Sequence, residues 1–248
     1  MERSANPCPY RDTTAEIVAR IAREVAPTDA QKVVLQKLAT ALGHANGYLT
    51  KSYPSKVPAG PVARLQLMEA QIDATIMALN IVRPPLQAFE KSLDVQQSAK
   101  LNEMAPAAAT VADACQPTAS ANGPFSQLEQ AIQPTDAQRE AMAKVRDAFN
   151  RAAADLNAEC PGPVPDTALG RLAFIVARLD ATWRAVPTIE VALAGFQNEL
   201  NGEQNARFNA LQIVSARKTS AIAGKLSSRQ SRIKMMLAGG GQIGVMPY

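Results

Sequence analysis

One histidine, His44, serves the entire 248-residue chain, aromatic side chains make up only 4% of it, and three cysteines are its full thiol complement. A lone imidazole leaves His-based metal clusters without material, and likewise Ser/His or Cys/His catalysis at a second site. His44 falls on a helical stretch and reads as a surface residue. No apolar run approaches the ~18 residues needed to cross a bilayer. Residues 1–10 lack the basic-then-apolar layout of a secretory leader, so the chain as it stands reads as soluble. Gly239 to Gly244 matches the spelling of a dinucleotide loop, but no strand pattern precedes it and only four residues follow it. Carboxylates such as Asp73 and Asp180 read as helix-surface charge. The expectation is a protein that is no enzyme and carries no cofactor.

What the chain does have is aliphatic and small: 47% of it is apolar with alanine dominant, a composition that favours packed helices over strands. It also has an internal repeat. The pentapeptide at 27–31 returns unchanged at 134–138, and a shift of 107 residues pairs the two regions without a gap. The shift matches Cys8 with Cys115, Pro54 with Pro161, Pro58 with Pro165, Arg64 with Arg171, Phe89 with Phe196, Gln97 with Gln204 and Asn102 with Asn209. About a third of positions from 27 to 104 are identical, too many over an ungapped stretch for chance. The reading is a tandem duplication: repeat one over 8–104, a linker over 105–114, repeat two over 115–211 and a tail over 212–248.

Each repeat holds a long helical stripe with apolar steps of three and four: Leu65, Met68, Ile72, Ile76, Leu79, Val82, Leu86, Phe89 and Leu93, answered at the same positions from Leu172 through Trp183 to Leu200. A shorter stripe precedes it, from Leu35 to Leu49 and from Met142 to Leu156. The pentapeptide stands where the shorter helix starts. Thr28 with Gln31 and Thr135 with Gln138 have capping-box spacing, as do Asp94 with Gln97, Asn201 with Gln204, and Thr13 with Glu16. Prolines 84, 85 and 187 fall inside the long stripes and predict kinked or curved helices. Proline-rich segments, Tyr53 to Pro61 and Cys160 to Pro165, predict hairpin loops.

No acidic residue follows Glu203, while Arg207, Arg217, Lys218, Lys225, Arg229, Arg232 and Lys234 do. The overall charge of +4 is therefore a tail effect on a net-acidic body. Apolar residues from Ile213 to Leu237 give that tail the pattern of a basic amphipathic helix. Its chemistry suits an anionic membrane surface, nucleic acid or an acidic protein.

The segments Pro27-Thr28-Asp29-Ala30-Gln31, Pro134-Thr135-Asp136-Ala137-Gln138 and Leu200-Asn201-Gly202-Glu203-Gln204, with Arg207-Phe208 beyond, resemble the LTxxQ motif of the Spy/CpxP family. Ala158-Glu159-Cys160-Pro161 and Phe208-Asn209-Ala210-Leu211 are similar to its alphaproteobacterial branch. The resemblance implies an all-helical fold of long bent hairpins forming a cradle, and a periplasmic, ATP-independent chaperone or envelope-stress protein. Spy-like proteins work as dimers, which implies a covalent pseudo-dimer here, with homo-oligomers a further candidate state. Expected partners are unfolded or acidic protein clients held on a concave helical face, with Arg64, Arg171 and the basic tail as steering charges. The competing class is a scaffold protein docking through its tail onto membrane, nucleic acid or an assembly. Cys160 in the second hairpin loop and Cys115 at the start of that repeat make a Cys115–Cys160 disulfide geometrically plausible, worth ~2–4 kcal/mol, with Cys8 free or paired between molecules. The alternative is three unpaired thiols in a cytoplasmic protein.

Overall fold

The computed structural model describes residues 13–54, 58–104, 122–159 and 163–209. Among the described residues the regular structure is all helix, with no strand. Repeat one holds α1 (Thr14–Val25), α2 (Asp29–Ser52), α3 (Pro61–Ser92) and α4 (Val95–Met104). Repeat two follows with α5 (Asn122–Ile132), α6 (Asp136–Ala158), α7 (Ala168–Asn198) and a helical segment over 202–209. The expected linker, the tail from 212 onward and all three cysteines lie outside the described residues.

Local chemistry explains most boundaries. Thr28 and Thr135 cap α2 and α6, each accepting from the backbone N–H of the glutamine three residues on, whose side chain accepts from the threonine N–H in return. Asp94 with Gln97 and Asn201 with Gln204 close the same reciprocal pair. Thr13 is an exception: it precedes α1 but makes no side-chain capping bond, because its backbone (φ −110°, ψ 11°) departs from the extended conformation shared by Thr28 and Thr135. Helices α1 and α5 both end in left-handed backbone at non-glycine residues, Ala26 (φ 49°) and Gln133 (φ 50°), which are repeat equivalents. The prolines do not end the long helices. α3 runs through Pro84 and Pro85, and α7 through Pro187. Pro84 and Pro187 are exposed, so carbonyls deprived of a helical partner stand on the open side, where water can reach them.

Packing places one core in each repeat. In the first, Leu35, Leu38, Val82 and the fully sealed Phe89 meet Ile21, Val25 and Leu101; in the second, Met142, Val145, Leu193 and Phe196 meet Phe125, Ile132 and Phe208. Phe196 and Phe208 lie edge to face at 5.8 Å, and Arg146 stands over the Phe125 ring. The long helices α3 and α7 then pack on each other, joining the repeats. They run antiparallel. Val62 and Leu65 at the start of α3 pack on the second core, Ala168 at the start of α7 packs on the first, and Gln66 Nε2 donates to Glu190 Oε1 at 2.6 Å. That register brings the repeated Asp-Ala-Thr triplets near the middle of the crossing, where Ala74 and Ala181 are both buried. Small side chains there let two helix backbones approach closely. The repeats therefore share an interface, as a covalent pseudo-dimer requires.

Candidate functional site

The capping glutamines do more than end helices. In repeat two, Gln138 Nε2 donates to Gln204 Oε1 at 2.8 Å and to Glu199 O at 2.7 Å, while Gln204 Nε2 donates back to Gln138 Oε1 at 2.9 Å and to Ile132 O at 3.2 Å. Repeat one builds the same amide pair from Gln31 and Gln97, tied to Ser92 O and Ala26 O. Each pair ties the start of the shorter helix to the turn after the long one. Gln138 and Gln204 are buried; Gln31 and Gln97 are half-buried. The repeated motif is thus a tertiary clasp, a role that local capping spacing could not reveal.

Arg171 does not stand on the open surface as a steering charge. It is 9% exposed, and its guanidinium donates to the carbonyls of Pro165 (3.0 Å), Asp166 (2.9 Å) and Asn102 (3.3 Å). Arg64, its equivalent, is half-buried with Nε donating to Pro58 O at 3.0 Å. This corrects the expectation of solvent-facing partner contacts: a planar five-donor group is being used to tie loop carbonyls at the joint between repeats. Arg207 does lie near the surface, paired with Glu203 and reaching Ala131 O at 3.5 Å. Arg217, Lys218, Lys225, Arg229, Arg232 and Lys234, together with Cys115 and Cys160, lie outside the described residues.

Asn102 was visible in the sequence only as a repeated letter, and the joint gives it a task. Its Oδ1 accepts from Ala168 N at 2.8 Å, capping α7 across the repeat boundary. The repeat equivalent of Ala168 is Pro61, which has no N–H to offer, and the buried Oδ1 of Asn209, the equivalent of Asn102, has no hydrogen-bond partner. A Cβ on Gly60 (φ +90°) would sit 3.1 Å from that oxygen.

The long apolar stripes are sealed at Phe89 and Phe196 and only partly covered elsewhere. Phe89 and Phe196 are fully buried, but Met68 (40%), Met77 (44%) and Trp183 (38%) remain exposed, and Val191 is 75% exposed. Trp183 belongs to the expected stripe, whereas Val191 and Met77 lie off it and were not anticipated. Between α6 and α7 lies an open groove of about 690 Å³ that Val191 and Pro187 help to line. Lys144 and Arg151 border it from α6. Among the described residues no cluster of three or more His, Cys, Asp or Glu side chains could hold a metal, and no helix is long and apolar enough to cross a membrane.

The model of the LTXXQ motif family protein matches residues 14–105 and again 120–212, one match per repeat. No curated protein matches the chain, and no solved structure does. The two matches cover most of the sequence and coincide with the two clasped helical repeats, so the chain belongs to the LTXXQ motif family, as a tandem duplication of its domain.

Proposed function

We propose that this protein is an ATP-independent holding chaperone of the bacterial envelope, capturing unfolded protein segments noncovalently on apolar side chains left open along its long helices. Membership of the LTXXQ family supports the periplasmic, envelope-stress setting. The observation that carries the reading is the exposure of large apolar side chains on the long helices. A chain able to bury Phe89 and Phe196 completely leaves Met68, Met77, Trp183 and Val191 in water, and these give an unfolded segment apolar side chains to pack against. Methionine and tryptophan suit the task, since a flexible thioether and a broad ring adapt to clients of varied shape.

The test is suppression of aggregation of a thermally unfolding model protein, without nucleotide, at stoichiometric amounts of the full chain. The expected result is concentration-dependent suppression that weakens when Met68, Met77 and Trp183 are replaced together by serine. Absent suppression, combined with a stable complex in a pull-down that depends on residues 212–248, would instead favour a scaffold docking through its basic tail.

A further inference from the structure

The two repeats differ most informatively where α6 lies along α7. At four equivalent positions repeat two carries the smaller residue: Ala141 for Val34, Thr188 for Ile81, Ala192 for Pro85 and Gly195 for Ala88. In repeat one, the larger Val34 and Ile81 pack against the core. In repeat two the same positions line the open groove of about 690 Å³. Gly195, inside α7, has nothing within 4 Å of where a Cβ would stand. Glycine weakens a helix interior, and no packed neighbour requires one here.

The rim differs in charge as well as size. Arg151 replaces His44 and Arg184 replaces Met77, while Lys144 keeps the charge of Lys37. Arg184 is engaged by Glu159 and Asp180. Lys144 meets only the exposed Glu140, 3.2 Å away, and exposed pairs of this kind exchange partners readily. Lys144 and Arg151 thus lie two turns apart on α6, roughly 10 Å along the groove. Glu199 also lines the groove, and its carboxylate disfavours an acidic group beside it relative to one beside Lys144 and Arg151. Together with the adjoining cleft, whose charged lining is Arg151, Asp155, Glu159 and Arg184, the trough follows α7 from Arg184 to Glu199, about 22 Å. An extended polypeptide covers that in about seven residues.

We infer that the α6/α7 groove of the second repeat is a docking site for an extended apolar polypeptide segment bearing acidic residues, spaced to meet Lys144 and Arg151. The inference deepens the holding function proposed above, from which it takes the class of client, and it makes the two repeats unequal: repeat two grips, while the counterpart positions in repeat one carry larger side chains.

The experiment uses the full chain and two fluorescein-labelled nine-residue peptides of leucine and valine, one with aspartate at its third and sixth positions and one with lysine there, read by fluorescence anisotropy. A graft of repeat one, Ala141→Val with Thr188→Ile and Gly195→Ala, fills the groove; Arg151→Glu inverts its rim. Gly195→Ala strengthens the helix, so the graft is expected to melt within a few degrees of wild type, which circular dichroism checks. The aspartate peptide should bind wild type at least tenfold more tightly than the lysine peptide. The graft should lose at least tenfold, and Arg151→Glu should reverse the preference. Equal binding by wild type and graft, equal binding of the two peptides, or no binding of either overturns the groove. Aggregation suppression separates the two readings: a graft that suppresses as well as wild type leaves the holding function intact and removes this groove from it, whereas a wild type that binds the peptide without suppressing aggregation keeps the groove and removes the holding function.

Discussion

Replacing Gln138 by alanine tests whether the clasp holds the repeat together. Its Oε1 accepts from Thr135 N at 3.0 Å and Gln204 Nε2 at 2.9 Å, and its Nε2 donates to Glu199 O at 2.7 Å and Gln204 Oε1 at 2.8 Å. The truncation removes all four bonds. At ~1 kcal/mol net for each bond, with the Gln204 amide left partly unpaired in a buried site, the gross loss is about 4 kcal/mol. Alanine's better helix propensity and the freed side-chain entropy return roughly 1 kcal/mol, leaving about 3 kcal/mol by this bookkeeping. Gln31 makes an equivalent set of bonds, but in a half-buried site where water can replace them, so Gln31→Ala should cost about 1–2 kcal/mol. Urea unfolding followed by far-ultraviolet circular dichroism reads both, as a fall in midpoint at unchanged slope. A Gln138→Ala/Gln204→Ala cycle should return a coupling of about 1 kcal/mol or more. A cost below about 1 kcal/mol for Gln138→Ala, or one no greater than for Gln31→Ala, refutes the reasoning.

Other changes probe the joint and the turns. Ala181→Leu inserts a branched side chain at the α3/α7 crossing and should destabilise by about 1–3 kcal/mol, with the radius of gyration from small-angle scattering rising if the repeats are pushed apart. Pro61→Ala supplies an N–H at the position where Ala168 meets Asn102 in the other joint; amide exchange of residues 202–209 should slow, and unchanged exchange would show that the new donor does not reach Asn209 Oδ1. Gln133→Gly relieves left-handed backbone at the end of α5 and should raise stability by ~0.5–1 kcal/mol in a thermal melt. Phe196→Ala removes a fully buried ring and should cost about 3–5 kcal/mol, a loss that chemical denaturation would register.

Much of the architecture was legible before any coordinates. A gapless self-match needs only letters, and stripes such as Val82, Leu86 and Phe89 betray helices because burial repeats every three to four residues. Capping boxes are equally local: Thr135 and Gln138 lie one turn apart, so their spacing alone predicts their bonds. Thr13 shows the limit, since the same spacing occurs there in a backbone that does not cap. The exposed valine at 191 could not be read because its neighbours are apolar too, and hydropathy along one helix does not say which faces a partner will cover.

The linear chain by itself determined that this protein is helical, doubled and limited to one histidine, because composition, period and short-range capping are properties of neighbours in sequence. Only the tertiary structure decided that α3 crosses α7 head to tail, that Arg171 is spent on carbonyls of the joint, that paired glutamines clasp distant helix ends, and that a groove lies open between α6 and α7 of the second repeat. Each of those depends on residues some 60 to 125 positions apart meeting in space, and such meetings are set by how two cores share one interface.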